Sequence, residues 1–338
     1  MDLNTVWFLL VAVLVAGYAV LDGFDLGVGA LSLVARSKEE RDLHVAAIAP
    51  VWDGNEVWLL TGGGALFAAF PAVYATVFSG FYLALMLLLV ALIARAVSIE
   101  FRLLLPGPRW IRVWDWAFGL GSLLPSILFG VAVGNVLRGV PLGPDAEWRG
   151  SFWGLLNPYA ILVGLVSFVL FVMHGALYLR MKTGGALSDR LGRVAQGAFA
   201  ALAVLYALAT AATAVISPLL FEKAGTPLFW ALTAVLGAAL AAIPLATRAG
   251  RKGRAFAASC TAVAVMILVT AYSAYPVLVP STLGPDLSLT IYNASSTPRS
   301  LWVMLVIALV GMPVMLAYTV GVYWIFRGPA RPAEGYGA

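Results

Sequence analysis

Charge is scarce in this 338-residue chain. Asp, Glu, Lys and Arg together make up 11% of it, less than half the roughly 25% usual in soluble domains. So little polar material cannot cover the surface of a water-soluble globule. Cysteine is nearly missing: with Cys260 alone, an internal disulfide and any CxxC or CxxCH motif are excluded. Histidine is limited to His44 and His174. The alternating polarity of a transmembrane barrel is lacking, and the 34 glycines follow no triplet period. HExxH, GxSxG and phosphate-loop patterns are absent; Gly62, Gly63 and Gly64 precede no Lys-Ser/Thr.

What is present is apolar: 62% of residues are hydrophobic and 12% aromatic. The class this leaves is an all-α integral membrane protein. A span needs roughly 20 apolar residues. Nine are expected, at 5–34, 57–75, 77–104, 113–138, 158–181, 193–216, 227–248, 254–275 and 300–327, forming a single membrane domain over 1–338. The second and third come from one run too long for a single crossing, broken from Pro71 to Gly80. The first run has only Asp2 before it and extends to about Val34, too long for a signal-peptide core, so it reads as a retained helix.

The basic residues orient these spans. With the N-terminus outside, sixteen of the 21 Lys and Arg fall in inner loops and the tail. Four (Arg138, Arg149, Lys223 and Arg299) fall outside, and Arg95 lies within a helix. This bias predicts an N-out, C-in arrangement. It also explains the net charge of +5 without a nucleic-acid partner. The eleven tryptophans fall near helix ends or in loops, as interfacial anchors do. The long outer connection at 276–299 has the length to fold over the outer face.

Ionisable groups inside spans are costly and mark functional interiors. Here they are Asp22 and Asp25 in the first helix, Arg95 and Glu100 in the third, and His174 in the fifth; Asp53 and Glu56 open the second and Asp115 the fourth. Asp25 lies about 14 Å, and Arg95 about 15 Å, from the inner ends of their helices at 1.5 Å per residue, so these two are expected to pair. Asp22 and Asp25 share a helix face, as do Asp53 and Glu56. An Arg facing two carboxylates neutralises one and leaves the other poised to exchange a proton. The pattern predicts a ladder of acids leading inward from the inner side. The alternative is that these ions only lock helices together. His44, in a charged loop, reads as solvated, and His174 as packed or hydrogen-bonded rather than as a ligand. A proton-coupled secondary transporter and a purely structural anchor remain open from the residues alone.

Several blocks carry a resemblance. The stretches 18-YAVLDGFDLGVGAL-31, 48-IAPVWDGNEVWLLTGGGALFAAFPAVYAT-76, 91-ALIARAVSIEFR-102, 114-WDWAFGLGS-122 and 173-MHGALYLRMKT-183 resemble subunit II of the cytochrome bd-type quinol oxidases. So does the stretch from Pro280 to Pro298. The resemblance implies a multi-pass protein of the bacterial inner membrane, with two four-helix bundles plus one peripheral helix. It implies pairing with a heme-bearing subunit I that holds low-spin heme b, high-spin heme b and heme d, with small accessory subunits left open. The complex would oxidise quinol, reduce oxygen to water and take protons from the cytoplasm electrogenically. This chain would ligate no heme or metal, would contact membrane lipid, and in some members of the family it also holds a structural quinone. Asp25 and Arg95 match residues linked to the oxygen-reducing centre, and Asp53 the acid of the proton entrance. Asp22 and Glu56 lie in matching blocks on the same path, with no role carried over.

Overall fold

Proline and a preceding cap residue start several of the long helices. The computed structural model describes residues 2–331; Met1 and 332–338 of the expected membrane domain lie outside the described residues. Eleven α-helices occur among the described residues. They are α1 (Leu3–Ser32), α2 (Lys38–Ile48), α3 (Trp52–Ala69), α4 (Pro71–Gly80), α5 (Tyr82–Phe101), α6 (Pro108–Arg138), α7 (Pro158–Lys182), α8 (Gly185–Ile216), α9 (Pro227–Arg248), α10 (Lys252–Ala274) and α11 (Pro298–Ile325). Proline opens α4, α6, α7, α9 and α11, where its missing N–H has no intrahelical bond to lose. Asp2, Asn157, Thr226 and Thr297 cap α1, α7, α9 and α11 through side-chain oxygens, satisfying donors the first turn leaves free.

Eight of these helices are long and apolar enough to cross a membrane, and α3 with α4 forms a ninth candidate bent by 118°. Seven of the expected spans fall on α1 and α6 to α11 with shifts at their ends. The other two need correction. The span expected at 57–75 starts earlier, at Trp52, and ends at Ala69. Phe70 leaves helical geometry at φ −131° and ψ 64°, and Pro71 starts a new helix. The expected break from Pro71 to Gly80 is therefore itself the helix α4, and the third span begins only at Tyr82. Carbonyls freed at the bend are taken up from the 276–299 connection: Ser296 donates its N–H to Ala69 O at 2.8 Å and its hydroxyl to Ala68 O at 2.6 Å. Ala69, Phe70 and Val73 share an apolar core with Trp7 and Phe8, which places the bend at the end of the molecule where α1 begins. Alone, α3 is about 27 Å long, close to the hydrocarbon thickness of about 30 Å.

The rest of the 276–299 connection forms a small hairpin, β1 (Val277–Val279) against β2 (Leu289–Thr290). It lies against the end of α6, with Val140 donating to Pro280 O at 3.0 Å.

Helix α1 is central. It packs against α3, α6, α7 and α10, while α5 packs on α6, α8 on α7 and α9 on α10. Glycine permits the closest of these approaches. A Cβ on Gly27 would stand 1.9 Å from the carbonyl oxygen of Phe171, and one on Gly175 would stand 2.6 Å from the backbone of Gly27. The backbones of α1 and α7 thus touch directly. By contrast α11 is peripheral, with Leu301 its only buried residue. Two tryptophans are buried against other helices. Trp58 packs against Gly17 and is buried, and Trp7 is buried with its indole donating to Leu301 O at 3.0 Å.

Candidate proton site

The DGFD sequence places Asp22 and Asp25 one turn apart on α1, and both are fully buried. Arg95 approaches from α5 and is also fully buried. Gly121 lets α6 press onto the α5 backbone there, since a Cβ at that position would stand 2.8 Å from Arg95 N. Arg95 donates Nη1 to Asp22 Oδ2 at 2.8 Å, and its Nη2 also donates to Asp22 Oδ1. The fork is bidentate, the strongest geometry available to this pair.

The expected pairing of Arg95 with Asp25 is therefore corrected: the ion partner is Asp22. Levelling Cα atoms ignored side-chain direction. In a helix, side chains tilt toward the N-terminus, and the long Arg reaches further that way than the short Asp. As the third span, α5 runs in the same sense as α1, so Arg95 meets the acid one turn earlier.

Asp25 is held by an amide instead. Asn55 Nδ2, on α3, donates to Asp25 Oδ2 at 2.7 Å and to Leu21 O at 3.2 Å. Tyr323, on α11, donates its hydroxyl to Asn55 Oδ1 at 2.8 Å. Asp25 Oδ1 is buried without a hydrogen-bond partner among the described residues. Glu56 is half-buried and Asp53 exposed in the first turns of α3. Glu56 stands within electrostatic reach of Asp25, Arg95 and Asp53. Burial thus deepens from Asp53 through Glu56 to Asp25 and Asp22. Glu100 is exposed at the end of α5 and stands outside this group.

Residues of α2, the end of α5, the first half of α6 and the start of α8 form a second charged layer. Arg102 lies between Asp42 and Asp115, at 2.6 Å from each. Lys38 pairs with Asp42 at 2.8 Å, and Arg190 pairs with Glu40. His44, expected to be solvated, is 1% exposed, and neither ring nitrogen has a hydrogen-bond partner among the described residues. The α2 helix folds back under α1 and α7 and covers it. Burial, with Arg41 adding to it, pushes the His44 pKa down to about 4, so the ring is neutral. His174 is fully buried; its Nδ1 lies 2.7 Å from Ser259 Oγ and its Nε2 2.9 Å from Val20 O.

These helices and blocks have close relatives. Residues 3–326 match the family described as cytochrome bd terminal oxidase subunit II. The chain belongs to this family. It is 39% identical to cytochrome bd-I ubiquinol oxidase subunit 2 of Escherichia coli K12, covering 96% of this chain and 94% of the relative. It is 36% identical to cytochrome bd ubiquinol oxidase subunit 2 of Bacillus subtilis 168, covering 96% of each. The fold is that of a chain in the structure of bd oxidase from Geobacillus thermodenitrificans, at TM-score 0.75 and 18% identity, covering 96% of this chain and 99% of that one.

Members of this family work within heme-containing oxidoreductase complexes. Both ring nitrogens of His174 are engaged within the fold. Two members of the buried network were missed in the sequence. Asn55 had a signal, being an amide between two acids at the start of a span. Tyr323 had none, because only the fold brings the end of α11 to the start of α3.

Proposed function

We propose that this chain is the non-heme-ligating subunit of a quinol oxidase that reduces oxygen to water, and that it feeds protons toward the oxygen-reducing site. The partner would be a larger subunit I holding low-spin heme b, high-spin heme b and heme d. The observation that carries the proton role is Asp25: a fully buried carboxylate that forms no ion pair and keeps one oxygen unpartnered among the described residues. A purely structural acid in a low-dielectric interior is paired or fully hydrogen-bonded, as Asp22 is. Reduction of oxygen to water consumes protons along with electrons, and an apolar interior delivers them only through titratable groups or ordered water.

In this reading Asp53 is the entrance, Glu56 the intermediate group and Asp25 the buried carrier. The Arg95–Asp22 pair supplies a fixed field beside it. Because Asp53 lies at the cation-rich end, the protons come from the cytoplasm, and transfer of charge across the membrane is electrogenic. The contacts of the fold suit two four-helix bundles, α1 with α3, α5 and α6, and α7 through α10, with α11 outside, N-terminus out and C-terminus in. The membrane is the bacterial inner membrane. The bend between α3 and α4 lies at one end of the bundle rather than near the midplane, where a transporter would carry a broken helix.

The test is gentle purification of the chain from its native membrane. Co-purification with a larger heme-bearing chain, and oxygen consumption on adding quinol, are expected. A colourless single chain without quinol-dependent oxygen uptake would refute the proposal.

A further inference from the structure

Asn55 and Tyr323 lie outside any role assigned so far. Asn55 is 1% exposed, and three elements converge on its amide. Leu21 O and Asp25 Oδ2, both on α1, face the same nitrogen. A backbone carbonyl can only accept a hydrogen bond, so the NH2 side of the amide must face α1. The amide oxygen then faces α11, where Tyr323 must donate to it. Flipping the amide would set its oxygen against Leu21 O and Asp25 Oδ2 and its NH2 against the Tyr323 hydroxyl. Leu21 O and Asp25 Oδ2 thereby select one orientation of Asn55, and the Tyr323 hydroxyl, donating to the amide oxygen, anchors the side chain in it.

That orientation has a consequence for Asp25. Its Oδ2 is occupied as an acceptor, while its Oδ1 is buried and unpartnered. A proton arriving at Asp25 goes to Oδ1, because the Asn55 N–H already points at Oδ2. We infer that Asn55, locked by Tyr323, is a positioning residue that reserves one oxygen of Asp25 for proton exchange, and that α11 takes part in the proton route through this single hydroxyl. The inference rests on the reading of Asp25 as a proton carrier. The charged and titratable groups facing Asp25 are Asp22 on its own helix, Glu56 on α3, Arg95 on α5, Tyr178 on α7 and Tyr323 on α11.

The experiment uses the intact complex, normalised to heme, with oxygen consumption measured between about pH 6 and pH 8. Tyr323→Phe removes one hydroxyl and keeps the ring. It should lower turnover about three- to ten-fold, the equivalent of one hydrogen bond, with heme content unchanged. Asn55→Ala should lower it further, and Asn55→Ser, which keeps a donor, should restore part of the loss. In an Asp25→Asn background neither change should lower turnover again, because both act through Asp25. Infrared difference spectra should show a carboxyl C=O band that Asp25→Asn abolishes and Tyr323→Phe shifts. If Asp25→Asn lowers turnover but Tyr323→Phe and Asn55→Ser leave turnover and the carboxyl band at wild type, the positioning role is overturned. If Asp25→Asn itself turns over like wild type, the carrier reading fails, and the positioning role fails with it. Should Asn55→Ala prevent assembly, Tyr323→Phe alone decides.

Discussion

Arg95 places both terminal nitrogens on the carboxylate of Asp22, and Asp25, three residues further along the same helix, forms no ion pair among the described residues. The two acids of one motif are thus separated by chemistry. One is gripped by a bidentate fork. The other has a single amide donor and a free oxygen.

Breaking the fork should be expensive. Removing either member strands a buried charge, at about 3–5 kcal/mol. Arg95→Ala or Asp22→Leu should each reduce assembly or thermal stability of the complex strongly. The double variant should be milder than the sum of the two. Asp25→Asn, with no ion partner to strand, should assemble with normal heme content. Thermal unfolding of the four variants checks this; strict additivity for Asp22 and Arg95 would contradict the contact.

The contact between α1 and α7 makes a second prediction. Gly27→Ala sets a methyl 1.9 Å from the Phe171 carbonyl oxygen, which is backbone and cannot rotate away. The helices must separate, at about 1–3 kcal/mol or more. Gly63→Ala, with nothing within 4 Å of the added methyl, should be neutral or slightly stabilising, since Ala favours helix over Gly by about 1 kcal/mol. Melting temperatures of the two variants compare them directly.

Much of this fold was legible in the sequence because a bilayer imposes simple requirements. Long apolar runs are a one-dimensional signal, and they located α1 and α6 through α11. The α3–α4 bend was misplaced because Phe70 and Pro71 lie inside a continuous apolar run, and hydropathy does not register a change of direction. The buried acids stood out by their cost in an apolar span. Which acid meets Arg95 depended on side-chain tilt and reach, which residue spacing alone does not resolve. His44 was misjudged because its neighbours in sequence are charged, although α2 turns the ring inward.

That buried His44 gives a pH dependence with a definite sign. Its folded pKa, near 4, lies below the ordinary value of 6.5. The unfolded chain therefore binds this proton more readily. Stability from the neutral ring is complete above about pH 6.5 and is lost as pH falls toward 4, by about 3 kcal/mol in all. His44→Gln should flatten this limb of a stability–pH curve measured by thermal unfolding. An unchanged slope in the variant would contradict the assignment.

The central claim is that protons enter at Asp53 and pass inward to Asp25. Asp53→Asn keeps the size and hydrogen-bonding capacity of the side chain and removes its ability to exchange a proton. Asp53 is exposed, so the fold and heme content of the complex should be unaffected. The decisive measurement is quinol-driven oxygen consumption by heme-normalised Asp53→Asn complex across about pH 6 to pH 8, beside Asp53→Glu. The account predicts a several-fold lower turnover for Asp53→Asn, most marked at high pH where protons are scarce, with Asp53→Glu retaining more activity. Wild-type turnover by Asp53→Asn over the whole range would remove Asp53 from the route and contradict the account.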